Sequence, residues 1–221
     1  MAITYPRSMP SRRIERVEFE LERQEVIGGE QGGRVLSVEL GPPHWRLKLS
    51  TTPPSEAEFD IWRAWLASLK GSSKLFYGRD MRRGRYPRAY VKTGFADLTR
   101  AGGGAFDGTA SAIDLTDRQA PELSGLPAGF QVAAGDYVGF TYGADHGRTL
   151  HRFVESGTAD VSGVLALTIE PEAPPFVPVD AVATFDGPTC LMMIAPGSVE
   201  ISAEHKDRRV AFDAVQHYVT A

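Results

Sequence analysis

Residues 16–23 read RVEFELER, and their side chains alternate, with Val17, Phe19 and Leu21 set against Glu18, Glu20 and Glu22. A period of two marks a strand with one face buried and one in water, because successive side chains leave a pleated backbone on opposite faces. Read as a helix, the stretch would bury Ile14, Val17 and Leu21 and turn Phe19 to solvent, a poorer division. The same signal returns in RVLSVEL (34–40) and in HWRLKLS (44–50), where Trp45, Leu47 and Leu49 oppose Arg46 and Lys48. The Gly-rich IGGEQGG and the run Gly41-Pro42-Pro43 predict turns between these strands.

From Ala134 onward strand patterns follow one another: GDYVGFTYG, TLHRFVES, GVLALTIEP, AVATFDGP, TCLMMIAPG, SVEISAE and RRVAFDAVQHY. Strands about 8 to 12 residues apart with turn residues between them predict a β-sandwich or barrel. The fold class expected is therefore mainly β, an antiparallel sandwich or barrel in a single domain over 1–221. A chain of 221 residues, 42% hydrophobic, has enough apolar side chains for such a core.

One segment breaks the pattern. Pro53-Pro54 ends a strand, Ser55 stands where it can cap a first turn with Glu58 three residues on, and Gly71 follows a last turn. The spacing predicts an amphipathic helix over about 55–70, packed on the sheets by a core face of Phe59, Trp62, Leu66 and Leu69. Trp65 lies beside this stripe, either as a further core aromatic or as a widening of the face toward a neighbouring subunit. After the helix, KLFYG (74–78) reads as a short strand and RDMRRGRYPR (79–88) as a loop with five arginines and one aspartate, while AYVKTGFADL resumes the strand pattern. Residues 95–135, and most plainly those from 100, are poor in periodic apolar residues and rich in Gly, Ala, Asp and Pro. They read as an insertion or long hairpin with few packed contacts.

Charge is unevenly spread along the chain. Residues 1–100 hold 18 Lys/Arg against 12 Asp/Glu, and residues 101–221 hold 6 against 16, for a net charge of −4. A basic half can meet nucleic acid, or the two halves can neutralise one another between copies in a head-to-tail ring, or both can be solvated faces. The start, MAITYPRSMPSRR, has no apolar core of a signal peptide, and no run approaches a membrane span of roughly 18 residues. The expectation is a soluble protein made in the cytoplasm, with no membrane insertion. The single Cys190, among apolar neighbours in TCLMMI, reads as a buried small hydrophobe.

Few groups offer chemistry. Asp145, His146 and His151 could be drawn as metal ligands or as a base with its orienter, but no further ligand stands near them, and ordinary hairpin histidines fit as well. His44, His205 and His217 are isolated. Gly102-Gly103-Gly104 lacks the following Gly-Lys-Ser/Thr of a phosphate loop, and Glu170 and Glu172 imply no cleft. Neither a nucleophile elbow nor a zinc-protease motif occurs. No catalytic residue, metal site or cofactor is expected, and a structural role is the better reading.

The order HWRLKLSTTPPSEAEFDIWRAWLASLKGSSKLFYGRD, a Trp-bearing strand, a proline break, a helix and a Phe-bearing strand with a charged turn, resembles the N-terminal part of distal tail and minor tail proteins of long-tailed phages. AGDYVGFTYG, TLHRFVESGTADVSGVLALTIEPEAPP and AVATFDGPTCLMMI are similar to the C-terminal part of those proteins. The resemblance covers about two-thirds of the chain, omits the segment near 95–130, and carries over no catalytic residue. It implies a virion protein of the tail tip or baseplate, assembled in the host cytoplasm. Such a protein forms a closed ring of its own copies, a hexamer by the family pattern. The ring joins the tail tube protein to the baseplate hub and receptor-binding parts, with DNA passing through its lumen. Arg79, Arg82, Arg83, Arg85 and Arg88 are then candidates for a subunit interface or a lumen surface, and a solvated loop is the plainer alternative. The competing class is a carbohydrate-binding β-sandwich using Trp45, Tyr86 or Tyr142 as stacking platforms. A tail-associated wall hydrolase would require an acid/base pair that this sequence does not display.

Overall fold

A computed structural model describes residues 3–10, 14–31, 34–53, 55–143, 147–204 and 207–219. In chain order the elements are β1 (Arg7–Ser8), β2 (Ile14–Gln31), β3 (Arg34–Thr51), α1 (Glu56–Ser68), β4 (Phe76–Gly78), a 3-10 turn (Arg88–Tyr90), β5 (Thr109–Asp114), β6 (Glu122–Ser124), β7 (Gln131–Val132), β8 (Tyr137–Tyr142), β9 (Gly147–Phe153), β10 (Gly157–Thr158), β11 (Leu165–Ala166), β12 (Ile169–Glu170), β13 (Val182–Thr184), β14 (Cys190–Ile194), β15 (Glu200–Glu204) and β16 (Asp207–Gln216). The fold is mainly β, with one helix and antiparallel sheets that include a curled half-barrel.

By its contacts the chain divides into two compact units. The first comprises Met1–Tyr5, Met9–Phe76 and Met192–Gln216, the second Pro6–Ser8, Tyr77–Leu191 and His217–Ala221. The boundaries fall inside β4 and β14, so no Gly- or Pro-rich linker announces them. The charge asymmetry does not follow these units either. The first holds 13 Lys/Arg against 14 Asp/Glu and the second 11 against 14.

In the first unit β14, β16, β3 and β2 lie side by side, with β15 along β16. The RVEFELER alternation is realised: Val17 pairs with Leu49, Phe19 with Leu47 and Leu21 with Trp45, and the Phe19 and Trp45 rings stack at 4.9 Å. The segments 34–40 and 44–50, expected as separate strands, run together as β3. Pro42 and Pro43 stand not in a turn but in a bulge, where pairing slips between Glu22↔His44 and Gln24↔Gly41. Proline has no N–H to give a ladder, and a bulge is where a strand tolerates that loss.

Helix α1 begins where its cap predicts. Ser55 Oγ accepts from the Glu58 backbone N–H at 3.3 Å, and the chain leaves the helix through Lys70 and Gly71 at φ 52° and 68°. Phe59, Trp62, Leu66 and Leu69 are all buried, and so is Trp65. The Trp65 ring lies 5.1 Å from Phe76 and 5.7 Å from Phe212 of β16, so it belongs to this unit's core.

The second unit is built on a sheet ordered β11-β6-β5-β13-β8-β9-β12, with the small pair β10-β7 apart from it. Residues 95–135 are not loosely held. Phe95, Phe106, Ala110, Ala112, Leu115, Leu123, Leu126, Phe130 and Val132 are buried in one cluster with Phe140, Phe153 and Phe185. The Arg100 guanidinium ties the segment together, donating to the carbonyls of Thr109 at 2.8 Å and Gly125 at 2.6 Å and to Asp107 at 2.7 Å. AYVKTGFADL, expected as a strand, is instead the 3-10 turn and a series of turns. Gly94 sits there at φ 65°, and Tyr90 stacks on Phe130 at 4.8 Å.

Candidate functional site

Two surface features stand out, one in each unit. In the first unit β16 pairs with β3 only from Arg46 to Thr51. Beyond that, β2 and β3 continue as a ribbon of two strands, with Val26 opposite Val38 and Gly28 opposite Leu36. Facing pairs share a side of an antiparallel ribbon and i, i+2 neighbours along a strand do too. Val26, Leu36 and Val38 therefore form one apolar face, each more than half exposed, and Leu40, as exposed as Leu36, lies at the slip between Gln24↔Gly41 and Glu25↔Glu39. The opposite face is mixed: Ser37 Oγ donates to Glu25 at 3.0 Å and Arg23 is paired to Glu39 at 3.6 Å, with Ile27, facing Ser37, exposed among them.

In the second unit the loop from Arg79 to Arg88 is organised around the buried carboxylate of Asp80. That carboxylate accepts from the Arg82 backbone N–H at 3.0 Å and from Arg82 Nε at 3.2 Å. Arg83 Nε stands 4.0 Å away from it, and the Tyr137 hydroxyl also donates to it, at 3.4 Å. Arg85 forms a two-pronged ion pair with Asp186, which holds the guanidinium pKa above its ordinary value. The Arg88 backbone N–H donates to Asp136 at 3.1 Å, and its guanidinium reaches the Ala134 carbonyl at 3.3 Å. Arg79 makes no ion pair among the described residues. The loop thus meets acidic residues of its own unit: Arg82, Arg83 and Arg85 already have partners, and Arg79 and Arg88 hold their charge with no carboxylate on the guanidinium.

The candidate chemical groups lie apart from one another. His151 is fully buried. Its Nδ1 donates to the Pro171 carbonyl at 2.7 Å, and its Nε2 accepts from the Thr149 hydroxyl at 2.8 Å. Burial pushes its pKa down to about 4, so the ring is a neutral core group. Asp145 and His146 lie outside the described residues, and among the described residues no three His, Cys, Asp or Glu side chains gather into a metal-binding group. Cys190 is buried, with its Sγ toward the Gly78 carbonyl at 3.7 Å, and burial raises its pKa. The glycines at 102–104 form a turn closed by the Arg100 N–H on the Gly104 carbonyl at 2.9 Å. No helix among the described residues is long and apolar enough to cross a membrane.

Compared with known proteins, the chain matches no family model and no curated protein. The apolar ribbon face was within reach of the sequence, since Leu36, Val38 and Leu40 alternate. Its exposure was not, because the alternation of a buried strand looks the same.

Proposed function

We propose that the protein is a structural subunit of a phage tail tip, closing with its own copies into a ring that joins the tail tube to the hub and receptor-binding parts. The observation that supports this reading is the apolar face of the β2–β3 ribbon. A two-stranded ribbon is at best marginally stable in water on its own, and a contiguous apolar patch marks a surface that another molecule covers. A ribbon that reaches past its own sheet suits a heterologous contact, one surface of a subunit against a different surface of the next, which closes when the rotation between copies divides a full turn. The identity of the ring as a tail component rests on the resemblance in residues 44–80 and 134–194.

The sugar-binding alternative has less to stand on. Trp45 and Tyr142 are buried, and Tyr86 is taken up by Phe95 at 4.8 Å and by the Arg85 guanidinium at 5.5 Å from its ring. None of the three offers a free ring face to a sugar.

Light scattering on the purified full chain, alongside a Leu36→Glu/Val38→Glu variant, tests the proposal. The expected result is a closed oligomer for the parent and a folded monomer for the variant, because two buried carboxylates oppose the contact. A parent that stays monomeric at high concentration, or a variant of unchanged mass, overturns it.

A further inference from the structure

The arginines of the second unit enclose a space. A cavity of about 80 Å³ is bounded by Arg79, Arg83 and Arg88 together with Asp80 and Asp136, by Gly135 and Gly187, and by apolar residues that include Leu150 and Phe185. Glycine at two of these positions keeps it open. A Cβ added to Gly135 would lie 3.3 Å from an outer nitrogen of Arg83 and 3.6 Å from one of Arg88, and a Cβ on Gly187 would lie 3.6 Å from an outer nitrogen of Arg79. Both glycines have positive φ, 89° and 57°, so the backbone itself disfavours a side chain there.

The nearby carboxylates do not use up this charge. Asp136 is engaged by the backbone N–H groups of Ala133 at 2.9 Å and Arg88 at 3.1 Å, Asp80 by Arg82 and, more distantly, by Arg83 Nε at 4.0 Å, and Asp186 by Arg85. The five arginines of the loop against these three aspartates leave an excess of two positive charges. Guanidinium groups present paired N–H donors in a plane, the geometry that matches a tetrahedral or carboxylate oxyanion. The space has room for a group of a few heavy atoms and is far below the several hundred Å³ of a pocket for a whole small molecule.

We propose that this cavity is an oxyanion site that takes a single phosphoryl group, with Arg79, Arg83 and Arg88 as its donors. The group is either free phosphate or one phosphate of a nucleic-acid backbone; the donors are the same for both. The site lies wholly in the second unit and does not depend on ring formation.

Titration of the full chain with inorganic phosphate, followed by calorimetry at constant ionic strength, tests it. One saturable site is expected, weakened about tenfold or more by Arg79→Gln and by Arg83→Gln, since each removes charge-assisted hydrogen bonds, and left unchanged by Arg63→Gln on α1. Arg79→Gln breaks no ion pair among the described residues, so its thermal melt should coincide with the parent's. Absence of saturable binding, or equal weakening in Arg63→Gln, overturns the proposal. A short DNA duplex added to the phosphate-loaded protein separates the sources. Displacement of phosphate assigns the site to a nucleic-acid backbone, and undisturbed phosphate binding assigns it to the free ion.

Discussion

Gly163 stands so close to Leu126 that a Cβ added to it would lie 2.1 Å from the Leu126 carbonyl oxygen. The two are also joined through their backbones, the Leu126 N–H donating to the Gly163 carbonyl at 3.1 Å. Asp160 sets this approach: its carboxylate accepts from the N–H groups of Ser162 at 2.8 Å and Val164 at 2.9 Å, curling 160–164 into a tight turn. The stretch Ala159-Asp160-Val161-Ser162-Gly163 is therefore a device for bringing one loop against residues 100–126. Gly163→Ala should destabilise the protein by about 3 kcal/mol, since it adds both a clash and a strained φ. Gly102→Ala, with nothing within 4 Å of its added Cβ, should change stability by about 0.5 kcal/mol or less. Urea unfolding of both variants measures the contrast, and similar midpoints would refute the packing argument.

His151 predicts a pH dependence. Its pKa in the folded protein is about 4 against an ordinary value of 6.5, so between those limits the unfolded chain binds a proton that the native state refuses. Stability then rises with pH across that window and is lost as pH falls from 6.5 toward 4, by up to about 3 kcal/mol. Asp107, Asp114 and Glu155 have lowered pKa values from their hydrogen bonds to threonine neighbours, and they too favour the folded state less as acid is added. Comparison with His151→Gln removes that shared contribution. A stability difference between the two proteins that stays constant from pH 4 to 6.5 would show that the imidazole is not held neutral by burial.

Segment 95–135 should resist proteolysis. Arg100 is anchored to Thr109, Gly125 and Asp107, and Arg118 donates to the carbonyls of Pro174 at 3.0 Å and Val177 at 2.7 Å. A protease must draw several residues of backbone into its cleft, and here that means breaking these bonds and exposing Phe106 and Phe130. Limited trypsin digestion read by mass spectrometry should show cuts after Arg100 and Arg118 only late. Early cleavage at either would mean that the segment is looser than its packing implies.

That segment also shows where the sequence is hard to read. Its core residues, Phe95, Phe106, Leu115, Leu123, Leu126 and Phe130, keep neither the period of a strand nor that of a helix. What places them is side-chain-to-backbone bonding by Arg100, Asp107, Asp117 and Arg118, which leaves no periodic trace. The first part of strand β2, strand β16 and helix α1 were legible because one buried face repeats along each of them. Pro42-Pro43 misled because the same pair suits a turn and a bulge, and only the partner strand decides between them. For the candidate sites, the arginine-rich loop was plain from composition. The pairing of Arg85 with Asp186, a hundred residues on, and the space left at Gly135 needed the fold.

The helix gives the sharpest test of a periodicity argument. Trp62 is almost fully buried, its ring set edge-on to Trp65 at 5.9 Å and tilted against Phe212 at 6.3 Å. Truncating it removes a large apolar surface and leaves a void among rings that cannot collapse without moving β16, so Trp62→Ala should cost about 3–5 kcal/mol. Asp60, on the exposed side, pairs with Arg63 at 3.4 Å and with no other cation among the described residues, and such surface pairs contribute about 0.5 kcal/mol or less. Asp60→Ala should therefore melt close to the parent. Trp65→Ala distinguishes a core aromatic from one that faces a neighbouring subunit. As a core residue in contact with Phe76 and Phe212 it should destabilise the isolated chain about as much as Trp62→Ala, whereas a subunit-facing role would lower assembly and spare the melt. Thermal unfolding of the three variants, read beside their mass in solution, separates these outcomes.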